Sequence, residues 1–207
     1  MIHQPSVIKL DQIGDVIAER FKGREMVTCY IGSNAAAPTA CLLALTNAIK
    51  NGSRQIPLMR MVHLLLQGEV PYVEEGLQDR IMTYSIFSAG SVRKAANEGR
   101  AFYLPGTLAN IDSLIGKDRR YMPDIVITKV SQFEHTGEYS LGLSVEAMHT
   151  AISNAKLVIA ELDNGMPFTQ GQSIIDSQSI DYLVIDEDVK PVYDFPAPDF
   201  ENLDKVE

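Results

Sequence analysis

The stretch DIVITKVSQFEHTGEYSLGLSVEAMHTAISNAKLVIAELDNGMPFTQG, Asp124–Gly171, decides how the rest of the chain is read. It opens on a β-branched run, Asp124–Val130, with the composition of a buried strand. From Ser144 onward Val145, Met148, Ile152 and Ala155 recur at helical spacing, and Ser144 stands where an N-cap is wanted, so the spacing predicts a helix. Lys156–Leu162 then reads as a second buried strand. Two apolar strands joined through a helix run parallel, which makes the segment a βαβ unit. Ligands of such units sit at the carboxyl ends of the strands. That rule selects two loops, 131–142 and 163–171.

Toward the N-terminus, Ile13, Val16, Ile17 and Phe21 share one helical face of Asp11–Phe21, with a stop near Gly23. Met26–Ile31 is strand-like and runs into the small residues of GSNAAAP, Gly32–Pro38. A helix follows with Cys41, Leu42, Leu45 and Ile49 as its apolar stripe, Pro38 at the first helical position and Gly52 at the stop. Small residues between a strand and a helix leave backbone N–H groups open to an anion or an acyl oxygen. A tight turn packed under the sheet is the alternative, since the pattern is neither a Walker loop nor a Gly-x-Gly-x-x-Gly fingerprint. Arg60–Leu66 reads as a strand, with His63 a core or edge residue and no triad spacing around it. Gly68–Gly76 is expected to be an exposed loop. Arg80–Ser88 is strand-like and leads into a short helix, Ser91–Glu98, closed by Gly99. Gly90, Arg93 and Asn97 mark this second strand-to-helix junction. Arg93 and Lys94 are surface charges there or, alternatively, contacts for phosphate. Ala101–Gly106 is a further strand, Thr107 can cap the helix after it, and the basic run Lys117–Pro123 is expected to be a solvated loop.

Downstream of the central unit, SIIDSQSIDYLVID supplies two more short strands. The acidic, proline-containing chain from Asp186 onward has no apolar stripe. The expectation is therefore one α/β domain over residues 1–190, a mainly parallel sheet flanked by helices, with 191–207 as a linker or tail. The chain has 207 residues, 45% of them apolar, which is enough for one substantial core. Its net charge of -9 argues against a nucleic-acid surface or an anionic membrane as partner. Its beginning lacks the basic start and apolar stretch of a signal peptide, and no apolar run is long enough to span a bilayer. Cys29 and Cys41 lie in apolar segments without metal-type spacing and read as reduced core cysteines of a cytoplasmic protein.

The loops carry a resemblance. Ser131, Gly137, Ser140, Leu141 and Gly142 match a Ser-x-x-Asp-x-x-Gly-x-x-Ser-Leu-Gly pattern, followed by AKLVIAE and then by MPFT in place of Met-Pro-Arg-Thr. With Phe87–Gly106 also similar, the chain resembles the N-terminal half of the acetyl-CoA hydrolase/transferase family, which includes acetate and 4-hydroxybutyrate CoA-transferases. Glu134 stands where Asp is usual and Phe168 where Arg is usual. The resemblance implies a fold of the CoA-transferase and ribose-5-phosphate isomerase type. It implies coenzyme A as a substrate with no permanently bound cofactor, and acyl-CoA and a small carboxylic acid as partners. A homo-oligomer is also expected. It places the substrate at Gly32, Ser33, Asn34, Ala36, Met166, Pro167 and Phe168, with Gly90 and Arg93 available to coenzyme A. The family's chemistry is attack by a glutamate carboxylate on an acyl-CoA, through an anhydride and a glutamyl thioester. That glutamate lies in the C-terminal half, beyond a linker like the one here, so no catalytic residue is assigned to this chain. Glu161, with Asp163 on the same side of its strand, and Glu134 are the carboxylates that could otherwise attack; a structural role is expected of both. The alternatives are a non-catalytic acyl-CoA-binding module and a sugar-phosphate isomerase-like domain.

Overall fold

A computed structural model describes residues 4–52, 55–118, 120–133 and 137–197. In chain order the elements are β1 (Ser6–Ile8), α1 (Ile13–Arg20), β2 (Met26–Ile31), α2 (Thr39–Lys50), β3 (Leu58–His63), β4 (Ile81–Ser85), α3 (Gly90–Asn97), β5 (Ala101–Tyr103), α4 (Ile111–Gly116), β6 (Ile125–Gln132), β7 (Tyr139–Ser140), α5 (Met148–Asn154), β8 (Leu157–Leu162), β9 (Ile174–Ile175) and β10 (Tyr182–Val184). Eight strands form one parallel sheet in the order β1-β10-β8-β6-β2-β3-β4-β5. The small β7 pairs antiparallel with β6 and β9. The α/β class and the parallel βαβ unit of β6, α5 and β8 are as the sequence predicts.

Strand alternation sorts the apolar side chains onto two faces. Cys29, Ile31, Ile125 and Ile127 point to a core shared with α1, α2 and α3, through Ile13, Ile17, Leu42, Leu45, Val92 and Ala95. Tyr30, Val126 and Val130 point to a second core, shared with α4 and α5 through Ile111, Ile115, Met148 and Ala151. Both faces being covered, the central strands are apolar almost throughout. From β2 the chain builds outward to β3, β4 and β5, then returns to lay β6 on the other side of β2 and builds outward again. The strand order therefore reverses between β2 and β6, and in such sheets the crevice at this reversal is the ligand site.

Several local expectations need correction. The helix after Ser144 begins only at Met148, capped by Ala147; the Ser144 hydroxyl is spent on the Ser33 carbonyl at 2.7 Å. Pro38 is the N-cap of α2 and not its first helical residue. The third strand, Leu58–His63, begins two residues and ends three residues earlier than Arg60–Leu66. In the loop 68–76, Val70, Pro71 and Tyr72 are buried, because the Tyr72 hydroxyl reaches His63 Nδ1 at 2.9 Å inside the core. Asn110, not Thr107, precedes α4, and its side-chain oxygen accepts the Thr107 N–H at 2.8 Å. Tyr121 in the basic loop is buried edge-on against Tyr84. In each loop an aromatic or polar side chain found a partner that outweighed the local preference for solvent or for a cap.

Candidate functional site

The loop leaving β2 enters the switch point under tight constraint. Gly32 N–H donates to the Ile127 carbonyl at 2.9 Å, and a Cβ at position 32 would lie 2.7 Å from Thr128 Oγ1. Glycine is what lets β2 and β6 approach so closely. Ser33 is buried and Asn34 takes the left-handed conformation, φ 55°, with its N–H on the Leu65 carbonyl at 2.6 Å. Ala36 is buried. The start of α2 is not left open to an anion: the carboxylate of Glu161, at the carboxyl end of β8, accepts the Cys41 N–H at 2.9 Å.

Glu161 belongs to a buried charge cluster. Parallel register sets Lys129 of β6 directly opposite Glu161. The fully buried Lys129 Nζ lies 3.1 Å from Glu161 Oε1 and 3.3 Å from Asp163 Oδ2, and also donates to the Lys190 carbonyl. Burial pushes the Glu161 carboxyl above its ordinary range; the Lys129 charge and the Cys41 N–H oppose that. Asp163 in turn accepts the Gly165 N–H at 2.9 Å. The cluster thus ties the end of β6, the end of β8, the start of α2 and the segment at Lys190 into one unit. The same segment reaches the first loop, where Tyr193 N–H donates to the Ala35 carbonyl at 2.8 Å.

The second and third loops interlock through the Ser-Leu-Gly motif. Ser140 Oγ donates to the Thr169 carbonyl at 2.8 Å and accepts the Gly142 and Thr169 N–H groups at 3.1 Å each. Thr169 Oγ1 donates to the Gly142 carbonyl at 2.8 Å. Gly142, at φ 61°, lies against Met166, whose Sδ would be 2.5 Å from an added Cβ. Met166 is buried in consequence, and the exposed Pro167 offers its carbonyl to Ser131 Oγ at 3.4 Å. Phe168 comes out half-buried, its ring 5.4 Å from that of the exposed Phe133.

The three loops therefore meet at one edge, where Gly32, Ser33, Asn34 and Ala36 follow the carboxyl end of β2, and Met166, Pro167 and Phe168 that of β8, on either side of β6. Gly90 and Arg93 sit on the same edge after β4, two strands away from β2; Arg93 is exposed and donates to the Ser88 carbonyl at 3.4 Å. Glu134 lies outside the described residues. An open cleft lined by Glu19, Arg24, Pro57 and Arg80 lies at the amino ends of the strands, across the sheet from these loops.

Sequence reasoning missed Lys129 and Glu146. A lysine inside the apolar run IVITKV was the signal for the first, since a cation buried in a parallel strand requires a carboxylate partner. For Glu146 the sequence holds no signal; its backbone is left-handed at φ 26°, and burial raises its carboxyl to about 7, opposed by the neighbouring Ser144 hydroxyl.

Compared with known proteins, residues 16–193 match the model of the acetyl-CoA hydrolase/transferase N-terminal domain. The 4-hydroxybutyrate coenzyme A transferase of Clostridium kluyveri is 35% identical over 163 residues, which are 78% of this chain and 37% of that protein. The succinyl-CoA:acetate/propanoyl-CoA:succinate CoA transferase of Fasciola hepatica is 28% identical over 178 residues, 86% of this chain and 36% of that protein. Among solved structures, RipA from Yersinia pestis superposes with a TM-score of 0.76 at 21% identity, over 93% of this chain and 44% of its own, a likeness of fold. The chain thus spans little more than a third of the length of these two relatives.

Proposed function

The chain belongs to the acetyl-CoA hydrolase/transferase family, through that family's N-terminal domain, and from this premise we propose that it is the N-terminal half of an acyl-CoA:carboxylate CoA-transferase or acyl-CoA hydrolase. The observation that carries the reading is the meeting of loop 32–38, of residues 131–133 and 137–142, and of loop 163–171 at the β2/β6 reversal, held by Ser140, Thr169, Ser144 and the Lys129 cluster. They form one wall of the acyl and coenzyme A site, and a downstream half, reached through a linker that begins at residue 191, supplies the nucleophilic glutamate; residues 198–207 of that linker lie outside the described residues. Gly90 and Arg93 face the phosphates of coenzyme A, which is a substrate and not a resident cofactor. The acting form is a cytoplasmic homo-oligomer.

Glu161 is fully buried, paired with Lys129 and holding the Cys41 N–H. A carboxylate so engaged has no free face to present to a thioester, which supports a nucleophile outside this chain. The test is trapping: after incubation with acyl-CoA, borohydride or hydroxylamine should mark no glutamate among residues 1–207, and the isolated chain should exchange no acyl group. Exchange should appear on mixing with the downstream half. A marked Glu161 would overturn the reading. Acyl-CoA binding with no exchange in either sample would instead leave a binding module.

Phe168 replaces the arginine usual in the family, and beside Phe133 it adds apolar surface where a guanidinium would hold a carboxylate. The expected acid is accordingly one with an apolar chain. Phe168→Arg should move the ratio of kcat/KM for butyrate over acetate toward acetate by about tenfold, the scale of one or two methylene contacts. Identical ratios in the two proteins would remove Phe168 from the acyl site.

A further inference from the structure

Asn34 and Glu146 are the two non-glycine residues, among those described, whose backbone lies at positive φ. Such conformations cost on the order of 1–3 kcal/mol each and gather at ligand clamps. Here they adjoin across the switch point, because the Ser144 hydroxyl that donates to the Ser33 carbonyl at 2.7 Å lies beside the Glu146 carboxyl. Glu146 Oε2 is buried without a hydrogen-bond partner, and so is Oη of Tyr30. The Tyr30 phenol, raised mainly by burial, also feels the charge of Glu146 and of Asp112 on α4. A buried polar atom left unmatched costs about 1–3 kcal/mol. Two strained backbones and two unmatched polar atoms at one point of the ligand edge are what a bound partner would repair.

With its carboxyl raised to about 7, Glu146 retains a proton in a large share of molecules near neutrality. Protonated, it has an O–H to donate, and its broad terminal torsion lets either oxygen present it. The other titratable groups around it, Tyr30 and Asp112, are acids, and Asp112 is engaged by Thr150 Oγ1 at 2.6 Å. His149 of α5 is turned to the Gln172 carbonyl. The Tyr30 phenol keeps its proton at every working pH and offers one donor here; an anion meets a second donor in Glu146 when that carboxyl is protonated, and a repelling charge when it is not.

Resting on the CoA-transferase reading, we propose that Glu146 binds the acid co-substrate, donating its O–H to a carboxylate oxygen at a subsite bounded by Ser33, Asn34 and Tyr30. The proton stays on Glu146 and no covalent bond changes in this step. The role is separate from the apolar contact at Phe168: Glu146 holds the head of the acid and the aromatic pair its tail.

The experiment uses the full-length protein, with acetate and butyrate as acids and acetyl-CoA as donor. Glu146→Ala should raise KM for the acid about tenfold or more, the scale of a lost hydrogen bond to a charged group, and leave KM for acetyl-CoA within about twofold of wild type. Glu146→Gln keeps an N–H donor and should retain most of the acid affinity. The wild-type KM for the acid should rise as pH increases through about 7, and that of Glu146→Gln should stay flat. Equal losses for both substrates in both variants, or no loss in either, would overturn the subsite. A second measurement is independent of turnover: calorimetric titration with acetate at pH 7.5 in two buffers of different ionisation enthalpy should show net proton uptake in wild type and none in Glu146→Gln. Acetate that fails to bind, or binds without proton uptake, overturns the proposal. Proton-linked acetate binding in a protein that exchanges coenzyme A with no acid would keep the subsite and sink the transferase reading.

Discussion

Lys129→Met should be among the most damaging single substitutions in this domain, lowering stability by about 3–5 kcal/mol. The side chain is fully buried between Glu161 and Asp163, and methionine matches its length while removing the charge. Two carboxylates would then face each other out of water with no cation between them. Removing one member of a buried ion cluster costs far more than the cluster contributes over an apolar replacement, because the residual charge cannot be hydrated. Urea unfolding should show the midpoint displaced with little change in slope, and Tm should fall by roughly 10 °C or more. Adding Glu161→Gln to Lys129→Met should recover part of the loss, since it deletes one stranded charge. A midpoint unchanged by Lys129→Met would mean that the cluster is solvated and does not hold the loops. The expected loss reaches function as well, because the same nitrogen ties the ends of β6 and β8 to the Lys190 carbonyl beside the candidate site.

The frame of the sheet was legible because parallel strands covered on both faces leave unbroken β-branched runs. Met26–Ile31 was placed to the residue, and the second strand of the central unit to within one. What the sequence could not show was register. Glu161 and Asp163 were visible as carboxylates on one side of a strand, and Lys129 as a charge in another. Only the pairing of β6 with β8 puts Lys129 opposite Glu161. The same limit hid the shortened helix: apolar spacing from Val145 is helical, yet Ser144 is held by Ser33 and Glu146 is left-handed, so regular helix cannot begin before Met148. Ser140 and Gly142 could be matched to a motif, but their reasons, a latch onto Thr169 and room for Met166, exist only once the two loops meet. Tyr72 was hidden by its acidic neighbours, which remain at the surface while its ring turns inward to His63.

That inward turn sets the acid limit of the fold. His63 is fully buried, its Nδ1 bonded to the Tyr72 hydroxyl and its Nε2 unpartnered, and burial lowers its pKa from 6.5 to about 3. In the unfolded chain the imidazole takes up a proton below pH 6.5 that the folded chain refuses until about pH 3. The unfolded state therefore binds more protons across that window, and stability falls as pH falls. The full shift corresponds to roughly 4–5 kcal/mol by about pH 3. Glu146 acts with the opposite sign: its folded pKa, about 7, exceeds the ordinary 4.5, so its contribution grows as pH falls from 7 to 4.5. Between about pH 6.5 and 4.5 the two offset one another, and below 4.5 His63 acts without that opposition. Measured from pH 7.5 to 3.5, the unfolding free energy of wild type should fall relative to that of His63→Gln as pH falls, whichever is the more stable at neutrality, because glutamine keeps a partner for Tyr72 and has no proton to gain. Over the same range wild type should gain stability relative to Glu146→Gln as pH falls from 7 to 4.5, and the two should run parallel below. A His63→Gln profile parallel to wild type throughout would show that the imidazole is hydrated in the folded protein and that Tyr72 does not seal it.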